Sequence, residues 1–251
     1  MKVAVLMPAY NAAAHVEAAL DSLLSQESAD CLDIIVADDG SSDGTPEKVE
    51  SLAQRRGQVR LIRTSHGGVS GARNKALAVV SPDTDLVGFL DADDLWPKGR
   101  LKKDLACFAS VPGLGFTYGA MHVFLSPEWE RAQVEDEPKT IEFRGVHLGA
   151  GMFSYDLVQR VGLFDEDLEQ GEDLDFLLRV LEQRPSFRIF DEPTVLYRRH
   201  GNNLTQDKQA LHHGLRRVLA KSIRRRRALG AFEYPRGVFD ARNAAYLPWS
   251  W

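Results

Sequence analysis

Residues 32–48 read Leu32-Asp33-Ile34-Ile35-Val36-Ala37-Asp38-Asp39-Gly40-Ser41-Ser42-Asp43-Gly44-Thr45-Pro46-Glu47-Lys48, and this stretch decides the fold class. A strand-length apolar run, Leu32 to Ala37, stops abruptly in Asp, Ser and Gly, the residues of tight turns and positive φ. Thr45-Pro46-Glu47-Lys48 then opens a helix, with Thr45 as its cap and Pro46 at the first helical position, where a missing N–H costs nothing.

The pattern repeats on both sides. Upstream, Lys2 to Met7 is an apolar run stopped by Pro8, and Asn11 is suited to cap an Ala-rich helix with Val16, Leu20, Leu23 and Leu24 on one face. Downstream, Val59 to Ile62 reads as strand, Val69 to Val79 as helix, and Leu86 to Leu90 as a strand ending in Asp91-Ala92-Asp93-Asp94. Strands alternating with helices at this spacing imply an α/β protein with a parallel sheet. Beyond about Val111 the pattern loosens. Leu114 to Phe124 reads as strand, and Glu128 to Glu142 is acidic and aperiodic. Glu172 to Leu181 is a helix, and Arg188 to Phe190 and Thr194 to Tyr197 are two closing strands.

Of the 251 residues, 44% are hydrophobic and 27% charged, which excludes disordered and fibrous classes. No apolar run approaches the ~20 residues that cross a bilayer, and the N-terminus lacks the zones of a signal peptide. Two cysteines, Cys31 and Cys107, argue against a disulfide scaffold or a cysteine-rich zinc site. The expectation is a soluble cytoplasmic protein.

Charge is unevenly spread. Ten Lys/Arg face one acid, Asp207, between Arg198 and Arg227, although the whole chain carries −5. Asp207 to Leu229 reads as an amphipathic helix, with Leu211, Leu215, Val218, Leu219 and Leu229 in one arc. Arg216, Arg217, Lys221, Arg224, Arg225 and Arg227 lie opposite. It docks on the acidic body with a solvated basic face, or it meets an anionic membrane surface; a homodimer contact is a third reading. Zinc-finger spacing, a recognition helix and interleaved aromatics are missing, so nucleic acid is not an expected partner.

In open parallel sheets, ligands bind at the carboxyl ends of the strands. The unusual residues gather there: Pro8-Ala9-Tyr10-Asn11, Asp38-Asp39 and Asp91-Ala92-Asp93-Asp94. Such a wall of carboxylates is costly without a cation or donors. Hard oxygen ligands without cysteine suit Mg²⁺ or Mn²⁺, ions that also hold phosphate. Each piece has a plainer reading as well. Asp38 to Gly44 serves equally as a turn, Asp91 to Asp94 as a solvated loop, and Glu172-Asp173 as first-turn acids at a positive helix end, with Asp175 on the exposed face of the same helix.

Seven blocks in order resemble the inverting family 2 glycosyltransferases. They are Pro8-Ala9-Tyr10-Asn11, Val36 to Thr45, Gly71-Ala72-Arg73-Asn74, Leu90 to Asp94, Val161 to Glu166, Gly171-Glu172-Asp173-Leu174-Asp175 and Tyr197-Arg198-Arg199-His200. The resemblance runs from Met1 to about Leu204. It implies the A-type glycosyltransferase fold, a Rossmann-like and mostly parallel sheet. A catalytic domain would span 1–205, with a donor half of about 1–110 and an acceptor half of about 111–205. A basic helical extension would cover 206–251.

The resemblance also implies roles. Asp38 and Asp39 would meet the base and ribose of a nucleotide-diphosphate sugar, with UDP the commonest carrier. Pro8, Ala9 and Tyr10 would form the floor beneath it, with Arg73 alongside. Asp91-Ala92-Asp93 would be the DxD motif, Asp93 binding Mn²⁺ or Mg²⁺, Asp91 touching ribose or metal, and His200 completing the shell. Asp173 would be the general base and Glu172 would orient the site. The acceptor would be a hydroxyl on a carbohydrate, lipid-linked or protein partner. Two other functions compete: a catalytically silent nucleotide-sugar-binding protein, and a sugar nucleotidyltransferase. The second lacks the Gly- and Arg-rich phosphate loop it needs near the first strand.

Overall fold

A computed structural model describes residues 1–125, 140–201, 208–229 and 238. Strands β1 (Val3–Ala9), β2 (Leu32–Asp38), β3 (Val59–Arg63) and β4 (Leu86–Phe89) pair in parallel, in the spatial order β3-β2-β1-β4. Helices α1 (Val16–Leu24), α2 (Thr45–Ala53) and α3 (Gly68–Leu77) fill the crossovers. Beyond β4 the sheet turns antiparallel: β7 (Gly151–Ser154) pairs with β4, and β5 (Leu114–Leu125) pairs with β7 and with β6 (Thr140–Phe143). Strand β8 (Ser186–Arg199) runs parallel to β5. Helices α4 (Arg100–Ser110), α5 (Tyr155–Val161), α6 (Glu172–Glu182) and α7 (Lys208–Leu229) complete the order.

The central strands are fully buried because both faces are covered, which explains unbroken apolar runs instead of alternation. Ala9 stands opposite Asp38, and Leu6 opposite Phe89. The carboxyl ends of β1 and β2 are therefore level, while β4 pairs with β1 only as far as Leu6, three residues short of that edge.

Four local expectations change. Pro8 does not stop β1; it pairs with Ala37 inside the strand. The β4 ladder has ended at Leu6, so Pro8 has one strand neighbour and its missing N–H is tolerated. Asn11 does not cap α1, which begins at Val16; it takes positive φ (48°) and accepts a hydrogen bond from Ser42 N through Oδ1. Thr45 is the first residue of α2, with Gly44 at the cap. The two closing strands are one strand, β8, and register shifts against β5 absorb the segment around Pro193.

The basic helix α7 packs along α6. Val218 and Ser222 are buried, and Gly214 lies so close to Gln170 O that a Cβ would collide. Arg225 Nε donates to Glu182 Oε2 (2.6 Å) and its NH1 to Asp175 Oδ1 (3.0 Å), while Lys221 pairs with Asp165. The docked reading of the helix therefore holds for its inner side. Asp175, read from the pattern as surface, is 2% exposed between Arg179 and Arg225. Leu219, expected on the packed arc, is exposed instead. Most of the acidic stretch from Glu128, the Leu229 side chain and the C-terminal Trp249 and Trp251 lie outside the described residues.

Candidate active site

Two motifs are sewn together at the ends of β1 and β2. Burial would raise the Asp43 carboxyl, but it accepts from Thr45 Oγ1 (2.5 Å), Ala13 N (2.9 Å) and Thr45 N (3.1 Å), and these bonds hold it below the usual range. Ala12 N donates to Thr45 Oγ1 (2.8 Å), and Asn11 N to Ser41 Oγ (2.9 Å). Most of the Ser41–Thr45 run is thus scaffold. What it supports is Asp38, 2% exposed, whose Oδ1 is buried without a hydrogen-bond partner among the described residues while Oδ2 accepts from Ser41 N (3.3 Å).

Asp39 is differently employed. Its Oδ1 accepts from Thr64 Oγ1 (2.9 Å) and Gly67 N (2.9 Å), and its Oδ2 from Gly68 N (2.8 Å). The carboxylate binds the loop between β3 and α3 and has little capacity left for a ligand. That loop brings His66 against Tyr10, ring centroids 4.5 Å apart, and Pro8 and Ala9, which precede Tyr10, are buried. Tyr10 keeps 52% of its surface exposed.

Arg73 is the centre of the arrangement. It is 2% exposed on α3, with its guanidinium 5.4 Å from the Phe164 ring. NH2 donates to Asp91 Oδ1 (2.8 Å), and NH1 donates to Asp173 Oδ1 (2.6 Å) and Glu172 Oε1 (3.3 Å). Burial opposes its charge, but the three carboxylates outweigh burial and hold the proton more firmly than usual. Asn74, next in sequence, donates to Phe164 O (3.0 Å) and accepts from Phe164 N (2.7 Å). The Gly71–Asn74 block therefore ties the parallel half to the later half at α6.

Glu172 and Asp173 begin α6 after Gly171, whose φ of 89° suits only glycine. Burial would raise Asp173, yet Arg73 and His147 charge and the Leu148 N–H (3.0 Å to Oδ2) hold it below its ordinary value. Glu172 is pushed up to about 7, first by burial and then by Asp173. Two neighbouring carboxylates are thus driven apart, one ionised and one inclined to hold a proton. Asp91 rises above its usual value through burial, against the pull of Arg73.

On the far side of Asp91, Asp93 Oδ2 lies 2.9 Å from His200 Nε2, with the Asp93 side chain 28% and His200 14% exposed. Asp94 and His147 had drawn no role from the sequence. Asp94 is fully buried; its Oδ1 accepts from Arg198 N (2.9 Å), and Oδ2 sits 2.9 Å from His147 Nε2. Burial raises Asp94 to about 7. His147 is raised too, since Asp94 and its neighbours outweigh burial. Tyr118 Oη accepts from His147 N (3.0 Å), fixing the loop that presents Leu148 N to Asp173. Ligand atoms of Asp91, Asp94 and His147 lie within 4.8 Å of one another. Nothing in the spacing of His147 marked it, because its partners are distant in sequence.

Of the expected residues, Arg73, Asp91, Glu172 and Asp173 are brought together and Asp93 meets His200, while Asp38 and Tyr10 stand at the ends of β2 and β1, Asp39 holds the loop after β3, and Ala92 is buried. Residues 4–151 match the model of glycosyl transferase family 2. The chain belongs to glycosyl transferase family 2. The uncharacterized glycosyltransferase EpsJ of Bacillus subtilis is 28% identical over 219 residues, 81% of this chain and 63% of that relative. S. aureus TarS in complex with UDP-GlcNAc superposes with a TM-score of 0.67 at 18% identity, covering 88% of this chain and 66% of that one. The mannosyltransferase PcManGT from Pyrobaculum calidifontis, in complex with GDP-Man and Mn²⁺, gives 0.66 at 21% identity, covering 93% and 66%. The family 2 chain thus spans less than two thirds of EpsJ and about two thirds of both neighbours, which share its mixed, mostly parallel A-type fold.

Proposed function

We propose that this chain transfers a sugar from a nucleotide-diphosphate donor to an acceptor hydroxyl with inversion, in the cytoplasm. The observation that carries the reading is Arg73, which joins the donor-side Asp91 to Asp173 and Glu172 of the later half.

At the donor end, the unpartnered Asp38 Oδ1 is suited to accept an N–H from the nucleobase, with Tyr10, Pro8 and Ala9 as the floor. UDP is the first carrier to test, with GDP and dTDP open. The donor set at the β4 end suits a hard divalent ion, Mn²⁺ or Mg²⁺. Asp93 and His200 would hold it with Asp91, since this pair is partly open while Asp94 and His147 are buried against each other. The ion would neutralise the departing diphosphate as a Lewis acid.

Asp173 would take the acceptor proton as that oxygen attacks the anomeric carbon. Arg73 and Leu148 N–H keep it ionised, as a base must be, and 18% of its side chain is exposed. Attack opposite the leaving group inverts the centre in one displacement, so a single carboxylate suffices. Glu172 orients Arg73. The acceptor is a hydroxyl on a carbohydrate, lipid-linked or protein molecule.

The test is thermal stability with UDP, GDP, dTDP and CMP, each with and without Mn²⁺, in the native chain and Asp93→Ala. A ligand of the folded state must raise the melting temperature. One diphosphate stabilising only with metal, and not in Asp93→Ala, supports the reading. No shift under any condition overturns it.

A further inference from the structure

The outer face of α7 carries an assignment that the transfer reaction does not need. The inner face is spent on the body, where Lys221 and Arg225 meet Asp165, Asp175 and Glu182. The outer face has no such partners: Arg216, Arg224 and Arg227 are exposed and make no ion pair among the described residues. Along one flank of them, Leu219 and Ile223, one turn apart, are 50% and 44% exposed. At 100° per residue these five side chains occupy an arc of about 140°. The helix contains no acid at all. Beside it, two residues before the Asp165 that grips Lys221, Leu163 is 63% exposed.

We infer that this face of α7 is a docking surface for an anionic lipid bilayer. The chemistry separates that occupant from others. A second copy packed face to face would set arginines against arginines. Nucleic acid would satisfy the charge but leave Leu219 and Ile223 in water. A bilayer surface supplies both needs: phosphates for the guanidinium groups and an acyl boundary for the apolar pair. The helix lies flat, since its other side is fixed to α6. This inference does not rest on the transferase reading.

Vesicle co-sedimentation of the full chain tests it, using phosphatidylcholine alone or mixed equally with phosphatidylglycerol. Binding is expected to the anionic vesicles at low salt and to weaken at high salt. Each basic residue near the surface is worth about fivefold in partition, so a triple Arg216→Gln, Arg224→Gln, Arg227→Gln variant should lose on the order of 100-fold. Leu219→Ser with Ile223→Ser should lose at least tenfold while every charge remains. Melting temperatures matching the native chain establish that the variants are folded. Three results would overturn the inference: no binding to anionic vesicles at low salt, equal binding to neutral ones, or full binding by the serine variant. Light scattering that shows a dimer broken by the serine variant, without vesicle binding, would assign the face to a second copy instead.

Discussion

Arg73 and Asp173 lie 100 positions apart in the chain and meet at 2.6 Å. That contact joins a helix of the parallel half to the first turn of α6, and through Asp91 to the end of β4.

Arg73→Ala strands Asp91, Glu172 and Asp173 around a buried gap. Breaking one side of a buried ion cluster costs about 3–5 kcal/mol, and differential scanning fluorimetry should register a large fall in melting temperature. Arg73→Lys should fail to restore activity, because one ammonium cannot serve two directions as the planar fork does. Full activity in the lysine variant would remove the guanidinium from the argument.

Asp173→Asn keeps the shape and removes the proposed base. Transfer should fall about 10²- to 10⁴-fold in kcat, while donor affinity by calorimetry stays close to native. A variant that transfers at the native rate would show the base lies elsewhere.

Asp38→Ala should act on binding alone. Loss of a hydrogen bond from a nucleobase to a charged acceptor costs about 1.5–3 kcal/mol. Nucleotide affinity should therefore weaken by roughly 10- to 150-fold, with little change in melting temperature without nucleotide. Unchanged affinity would free Asp38 from the nucleobase.

Glu172 sets a pH dependence whose sign follows from its direction. Its carboxyl is raised in the folded protein to about 7 from an ordinary 4.5, with burial the main cause. Across that window the native state keeps a proton that the unfolded chain releases, so stability falls as pH rises and levels off above about 7. The shift corresponds to about 3 kcal/mol. Melting temperatures from pH 4 to 8.5 should fall less in Glu172→Gln than in the native chain, and parallel curves would refute the assignment.

The parallel half was legible because its physics is local. Buried strands appear as apolar runs, and the turns between them as Asp, Ser and Gly. Asp38, Asp91 and Asp93 stood out for the same reason, at ends of elements that composition alone could find. The roles of Asp94 and His147 were not legible: Asp94 stood in the carboxylate cluster without a part of its own and His147 in no motif, because each depends on a partner 53 positions away. Asp175 misled for a related reason, since a lone acid on a helix looks solvated until α7 brings Arg225 to it. Strand β8 looked like two pieces because Asp191-Glu192-Pro193 interrupts the apolar pattern. The interruption sits where β5 and β8 slip register.

The seating of α7 on α6 bears on how this chain can be cut and recombined. Gly214 leaves no room between the helix and Gln170, and Arg225 supplies the counter-charge to buried Asp175 and Glu182. A graft that ended at residue 205 would carry Asp38, Arg73, Asp91, Asp93, Asp173 and His200. It would also leave Glu182 without Arg225 and Asp175 with Arg179 alone, along the flank of the helix that bears Glu172 and Asp173. The portable module therefore runs through α7, and a hybrid spliced earlier would inherit the recipe without the brace.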